Sequence, residues 1–306
     1  MLLMISLISF IAIHIAPNSF FSAGALNPNM TKESLAILQA VYGLDKPLYM
    51  QYIDWIINMA HFNFGISFVS GAEVSDEISK RIGITLLMNI SSMVLVFIVS
   101  IYLGVHSALR QNSLFDRIVS NFSIVSFSMP SFYLALLLIL VFSVTLEYFP
   151  IAGLHSIEPK EGIAYYLDML WHLFLPIFVM VFVSLGSMII YIRSLTVEIL
   201  KSDYLFFARS RGLDEKRIKK YYIYPNLLPP IITLLGLSLP GLIGGSVILE
   251  SIFAIDGMGQ LFYLSALSRD YPVIMGILMI TAFLTLIGNM GADLVLLKLN
   301  PFSNRA

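Results

Sequence analysis

Eight of the chain's 18 lysines and arginines lie within residues 193–220, between two long apolar runs. In that stretch Tyr204, Phe207, Ala208 and Arg211 recur at i, i+3, i+4 and i+7. That spacing puts four side chains on one face of a helix. Aromatic groups beside charges are costly to leave bare, and helix-in-groove recognition uses this pattern. The chemistry implied is binding to a partner groove. Asp203 is a fitting N-cap for a helix from Tyr204, and Gly212 supplies the left-handed residue that stops it. A second helix is expected from Asp214, with Glu215 in its first turn and Lys219 and Lys220 near its end, as the helix dipole favours. Pro225, Pro229 and Pro230 are expected to break that helix before the next apolar run.

Four other groups are candidates. Glu250 falls late in an apolar run, and ionisable groups in membrane spans default to functional hypotheses; its nearness to the run's end also allows simple hydration. Asp293, five residues before Lys298, has the poorer spacing of a capping or packing residue. Ser126-Phe-Ser-Met-Pro-Ser131 interrupts another run. Pro130 frees a carbonyl that hydroxyls or water can satisfy, so a kink is expected, and Ser128, Met129 and Pro130 are candidates to line a path. Gly241 and Gly245 form a G-x-x-x-G match, which lets helices approach closely. The five histidines lack metal-ligand spacing, and the chain has no H-E-x-x-H motif, no paired-carboxylate motif and no G-x-x-x-x-G-K-[ST] loop. Nor is any nucleophile placed beside a base. The residues therefore argue against an enzyme, a resident metal and ATP binding by this chain.

The elements that must position these residues are apolar. The chain has 306 residues, 58% hydrophobic and 12% charged, with mean hydropathy +0.86. Soluble domains carry about 25% charged residues, so the missing charge implies lipid around the chain. A net charge of −1 gives no case for nucleic acid, and with no cysteine there is no disulfide or thiolate site. Six spans are expected, at 1–16, 84–109, 118–147, 170–192, 231–255 and 272–297. The first is shorter than the roughly 20 residues a span needs, so its start is expected upstream. It lacks the basic leader and small-residue cleavage site of a removable signal.

With both termini cytoplasmic, 12 of the 18 basic residues lie inside, including Arg110, Arg117, Lys298 and Arg305. The positive-inside rule favours that orientation. Trp55, Trp171, Tyr148, Tyr165 and Tyr166 then lie towards the outer face, as interfacial aromatics do. Residues 17–83 form an extracytoplasmic subdomain with two helices, one over 31–43 and an amphipathic one over 47–58 with Pro47 at its start. The remaining division is a five-helix core over 84–297, containing the cytoplasmic loop 193–225, and a cytoplasmic tail over 298–306.

These residues carry a family resemblance. Asp203-Tyr, Ala208-Arg-Ser-Arg-Gly212-Leu and Pro225-Asn-Leu-Leu-Pro229 together resemble the cytoplasmic signature loop of binding-protein-dependent ABC importer permeases. The dipeptide/oligopeptide/nickel branch, B-type partner, is the most similar. Tyr42-Gly-Leu-Asp-Lys-Pro-Leu-Tyr-Met-Gln-Tyr52 and Phe62-Asn-Phe-Gly-Ile-Ser67 look like its outer subdomain. Leu242-Ile-Gly-Gly-Ser-Val-Ile-Leu-Glu250-Ser-Ile-Phe253 and Arg269-Asp-Tyr-Pro-Val273 look like its fifth span and the loop after it. The resemblance covers nearly the whole chain. It departs at Phe253-Ala-Ile-Asp-Gly257, where the family commonly reads Phe-Ala-Trp-Pro-Gly.

The resemblance implies an all-α polytopic fold of the type I ABC importer permease, in the bacterial inner membrane. It implies that 203–212 is a coupling helix seated in an ATPase. Tyr204 and Phe207 would be its apolar anchors, Ala208 would lie on the same face, Arg209 and Arg211 would form the charged rim, and Gly212 would be its stop. Implied partners are a second homologous permease, two cytoplasmic ABC ATPases that bind the ATP and Mg, an extracytoplasmic solute-binding protein and membrane lipid. Peptide and nickel importers share this framework. The segment ending at Ser67 and the stretch 242–253 look slightly closer to nickel permeases, so the expectation leans to a nickel chelate, with di- or oligopeptides beside it. A secondary transporter or channel that needs no ATPase is the contrasting class.

Overall fold

The computed structural model describes residues 2–15, 46–158, 160–244 and 246–299. These are helical almost throughout, and their only β-type pairing is the isolated bridge between Ile66 and Glu73. The helices in chain order are α1 (Leu2–Ile15), α2 (Leu48–Ala60), α3 (Val74–Leu109), α4 (Leu114–Ser128) and α5 (Ser131–Leu138), the last continuing in π register over Ile139–Thr145. Then come α6 (Ile163–Leu200), α7 (Asp203–Ser210) and α8 (Glu215–Ile218), which passes through π-register residues Lys219–Ile223 into α9 (Tyr224–Gly244). The chain closes with α10 (Val247–Ile252), α11 (Met258–Ser268) and α12 (Tyr271–Leu299).

Among the described residues four helices are long and apolar enough to cross a membrane: α3, α6, the continuous 215–239 helix and α12. The bent pair α4–α5 makes a fifth if it counts as one span. The predicted first span is a 14-residue helix, about 21 Å long against a hydrocarbon core of about 30 Å. It packs on α12. Of the two helices predicted in the outer subdomain, that over 31–43 lies outside the described residues. The other is α2, with Pro47 at its N-cap.

Three expectations are changed or sharpened. The kink expected in the 118–147 run is present but sharper than a bend in one rod: its halves meet at 97°. Met129 is extended, and Pro130 becomes the N-cap residue of a new helix. Pro225, Pro229 and Pro230 do not break the chain into a loop. A π-register turn precedes Pro225, with the Tyr224 N–H donating to the Lys219 carbonyl. The carbonyls that the prolines strip of α-register donors belong to exposed residues, Tyr221, Pro225 and Asn226, so the helix continues at little cost. Finally, the fifth span ends at Gly244 rather than near 255, and Glu250 sits in the separate short helix α10.

The packing is organised by α6, which lies against α3 and α4, and by the α9–α12 pair. One apolar cluster joins Met88, Leu134, Leu173, Val179, Leu249 and Phe253. A second joins Phe97, Ile192, Leu205, Ile218, Ile223 and Leu227, so α7 and α8 are part of the folded body. Within this chain α9 makes its close approaches away from the G-x-x-x-G match, which leaves packing against a second permease open to it. Gly245 lies outside the described residues, and a Cβ on Gly241 would meet nothing within 4 Å. The close approaches are at Gly236, whose added Cβ would strike Ala292, and at Gly288, whose Cβ would lie 2.5 Å from Leu239.

Candidate functional site

α7 begins after Ser202, which holds the N-cap position without a side-chain cap bond; Asp203 lies in the first turn. Its end is set by Gly212 at φ +76°. The Gly212 N–H donates to Arg209 O (2.9 Å) and the Leu213 N–H to Ala208 O (3.3 Å). That pair of bonds is the Schellman stop, and Leu213 supplies its apolar contact by packing with the Leu205 cluster. Asp214 caps the next helix by accepting from the Arg217 N–H at 3.2 Å.

The single face predicted for Tyr204, Phe207, Ala208 and Arg211 is divided in the structure. Leu205 is 0% and Ala208 3% exposed, and both turn into the body of the protein. Tyr204, Phe206 and Phe207 are 42%, 68% and 63% exposed. Ala208 is therefore an inward packing residue, and Phe206, which the periodicity passed over, joins Tyr204 and Phe207 on the open face. Phe206 and Phe207 meet edge to face, 6.0 Å between ring centres. Arg209 and Arg211 are also exposed, and Arg209 reaches Glu215 at 3.3 Å. No local spacing distinguished Leu205 from Phe206 as the inward residue; what packs behind the helix decides it.

α7 is seated by Leu205 in its apolar cluster, and at the same end of the molecule a largely buried ion pair ties the long helices together. Arg193 donates to Asp116 through Nε (2.7 Å) and Nη2 (2.8 Å). Asp116 also accepts from the Ser107 hydroxyl and the Asn112 N–H. Arg193 was read as part of a basic loop; it lies within α6 and ties that helix to α3 and α4. The bidentate geometry with two further donors satisfies the buried carboxylate.

At the opposite end of the molecule the stretches singled out in the sequence meet one another. Ser67 donates through its hydroxyl to Asp270, which also accepts from the Phe68 N–H at 3.0 Å. Glu250 is 1% exposed. It accepts from Thr85 Oγ1 (3.1 Å) and the Gln260 N–H (3.0 Å), while Thr85 accepts from the Met258 N–H (2.8 Å). A Cβ at Gly257 would lie 2.5 Å from Glu250 Oε2, so the clasp needs glycine there. Glu250 is thus enclosed by α3, α10 and α11. Asp256, where the family pattern departs, pairs with Arg81 at 2.5 Å. Asp168 gathers Ser156, Lys160 and His155, which no sequence spacing announced.

Of the other candidates, Ser128 and Pro130 are exposed and Met129 is half-buried at the 97° corner. Ser126 is buried, and its hydroxyl donates to Phe182 O and accepts from the Gly186 N–H, clamping α4 to α6.

Comparison with known proteins gives three findings. Residues 100–303 match the family described as "Binding-protein-dependent transport system inner membrane component", and residues 1–89 match the N-terminal family of such membrane components. The chain is 36% identical to the oligopeptide transport system permease protein AppB of Bacillus subtilis over 301 residues, covering 98% of this chain and 94% of that protein. It is 32% identical to the di/tripeptide transport system permease protein DppB of Pseudomonas aeruginosa, covering 97% and 93%. It is 31% identical to the dipeptide transport system permease protein DppB of Lactococcus lactis, covering 98% and 94%. Among solved structures, the inward-facing MetNI methionine ABC transporter aligns with TM-score 0.58 and 17% identity over 73% of this chain and 96% of that one. At that identity the likeness speaks to the fold alone.

Proposed function

The chain belongs to the inner membrane components of binding-protein-dependent transport systems, a multi-pass membrane permease of an ABC importer, and on that premise we propose how it works and what it carries. It forms one half of a translocation path, the other half being a second permease. ATP and Mg are bound by two ATPases on the cytoplasmic side, and cargo arrives from an extracytoplasmic binding protein. Both termini face the cytoplasm, which puts α7 there as well.

The observation that carries the coupling role is the bare aromatic edge of α7. α6 has 38 residues, about 57 Å of helix against about 30 Å of hydrocarbon. α7 follows its projecting end, where no lipid tails cover Tyr204, Phe206 and Phe207. Their exposed rings seat in a groove of the ATPase. Leu205 and Ala208 on the reverse side pass its movement into the cluster that joins α3, α6 and α9. Copurification tests this. Tyr204→Ala with Phe207→Ala should release the ATPases while the permease itself stays folded. Retention of the ATPases by that variant overturns the role assigned to these rings, and only their absence from the wild-type preparation would favour a transporter that needs no ATPase.

The cargo we propose is a di- or oligopeptide. The relatives above are named for oligopeptide, di/tripeptide and dipeptide transport, which outweighs the slight local likeness to nickel permeases. Mass spectrometry and metal analysis of the partner binding protein's ligand decide it. A peptide supports the assignment, and nickel in stoichiometric amount reverses it. The exposed corner at Ser128, Met129 and Pro130 is the part of the chain we assign to the path. Glu250 is left out because its carboxylate is already fully engaged.

A further inference from the structure

Beside α7 lies a cleft of about 950 Å³ between the 108–113 turn and the end of α6. Arg110, Lys201, Arg209 and Lys219 line it, and Glu215 is its only acidic lining residue. Glu215 is engaged with Arg209 at 3.3 Å. No carboxylate among the described residues pairs with Arg110, Lys201 or Lys219; Arg110 lies over the Phe115 ring at 5.9 Å. Three cations therefore face one opening without a counter-charge. Lysine and arginine near helix C-termini complement the dipole, which accounts for Arg110 and Lys201 individually. Arg209, in the last turn of α7, and Lys219, at the end of α8, fit the same rule, but the rule does not explain why the ends of four helices converge on one space.

From this geometry we infer that the cleft is a second docking site, taking an acidic segment of the ATPase already assigned to α7, and on that assignment the inference rests. Three observations select this occupant. Arg209 belongs to both surfaces, lining the cleft and standing on α7, so a partner seated on Phe206 and Phe207 is within reach. The volume suits several residues of peptide and is far larger than one inorganic anion needs. Depth argues against a lipid headgroup. The charge-free run of α6, 169–192, has 24 residues, about 36 Å, and already exceeds the hydrocarbon core. Lys201 lies eight residues beyond Arg193, about 12 Å further along the axis, past the roughly 5–8 Å headgroup layer. Carboxylates brought there by a protein would meet solvent-facing cations, an attraction that salt screens. Such contacts set orientation and association rate. The permease would thus be read at two points, one apolar on α7 and one electrostatic beside it, which fixes the angle at which the ATPase sits.

The test is photo-crosslinking in native membranes with the whole transporter. p-Benzoylphenylalanine is placed at Gln111, an exposed cleft residue, and separately at Phe206. The Gln111 adduct should be an ATPase peptide containing Asp or Glu. Raising the salt concentration, or introducing Lys201→Glu with Lys219→Glu, should lower its yield about tenfold while the Phe206 adduct changes less than about twofold. Lys201→Gln with Lys219→Gln, which removes charge without reversing it, should give an intermediate loss. The inference is overturned if Gln111 yields only lipid adducts, only another protein, or nothing, while Phe206 still captures the ATPase. Equal salt sensitivity at both positions also overturns it. If Phe206 fails as well, the α7 assignment falls with it.

Discussion

The two ends of this molecule treat polar and aromatic groups in opposite ways. At the Glu250 end, carboxylates are turned inward and saturated: Glu250 by Thr85 and Gln260, Asp270 by Ser67 and Phe68. At the α7 end, Arg209, Arg211, Phe206 and Phe207 are turned outward, with only Arg209 held in a surface pair. At one end the buried carboxylates are satisfied by the chain's own donors. The other has a finished foundation, the Arg193–Asp116 pair and the Leu205 cluster, under a surface that its own chain leaves bare. Incompleteness in a well-anchored element points to a partner more clearly than exposure alone, because single exposed apolar residues are common.

The sharpest way to break the contrast is to attack the foundation. Arg193→Ala strands a buried carboxylate and should cost about 3–5 kcal/mol, read as a large fall in thermal stability in detergent. Asp116→Asn in the same chain should recover part of it. If Arg193→Ala is as stable as wild type, the α7 end is not anchored as described. Next, Leu205→Ala and Phe206→Ala separate the two sides of one short helix. Leu205→Ala should destabilise by about 2–5 kcal/mol, whereas Phe206→Ala should stay within about 0.5 kcal/mol yet weaken ATPase retention. Equal stability losses would erase the distinction between inward and outward faces.

At the closed end, Glu250→Gln keeps one acceptor but turns an amide towards N–H donors, and should cost about 1–3 kcal/mol. Gly257→Ala should produce a loss of the same kind through the same contact. Transport per folded molecule should be retained in both, since Glu250 is a clasp; selective loss of transport with normal stability would return it to the path. The smallest effect is expected at Lys46–Asp54, whose side chains are each 49% exposed. Asp54→Asn should change stability by less than about 1 kcal/mol.

Much of the fold was legible because its signals are local. Charge-free runs mark spans, and Gly212 stops α7 whatever surrounds it. The misreadings share a cause. Proline was taken as a stop at 225, 229 and 230, where a π-register turn and exposed carbonyls absorb it. At Pro130 the expected kink is there, and its size, 97°, is what the sequence did not give. Whether a freed carbonyl is tolerated depends on what lies beside it, and that is not in the local sequence. The same holds for Gly241, a motif match without a close neighbour, against Gly236 and Gly288, which touch α12 and α9 without forming the motif.

By itself the sequence determined that this chain lives in a membrane, carries no thiol and no nucleotide loop, and has a short helix stopped by glycine among basic residues. Composition and neighbouring residues suffice for those statements. Only the tertiary structure decided which side of α7 is open, because a face is defined by what packs on its opposite side. It also decided that Ser67 meets Asp270 and Thr85 meets Glu250 across some 200 and 165 positions. Buried carboxylates must find donors, and the donors a fold brings to them are set by how helices pack, not by their order along the chain.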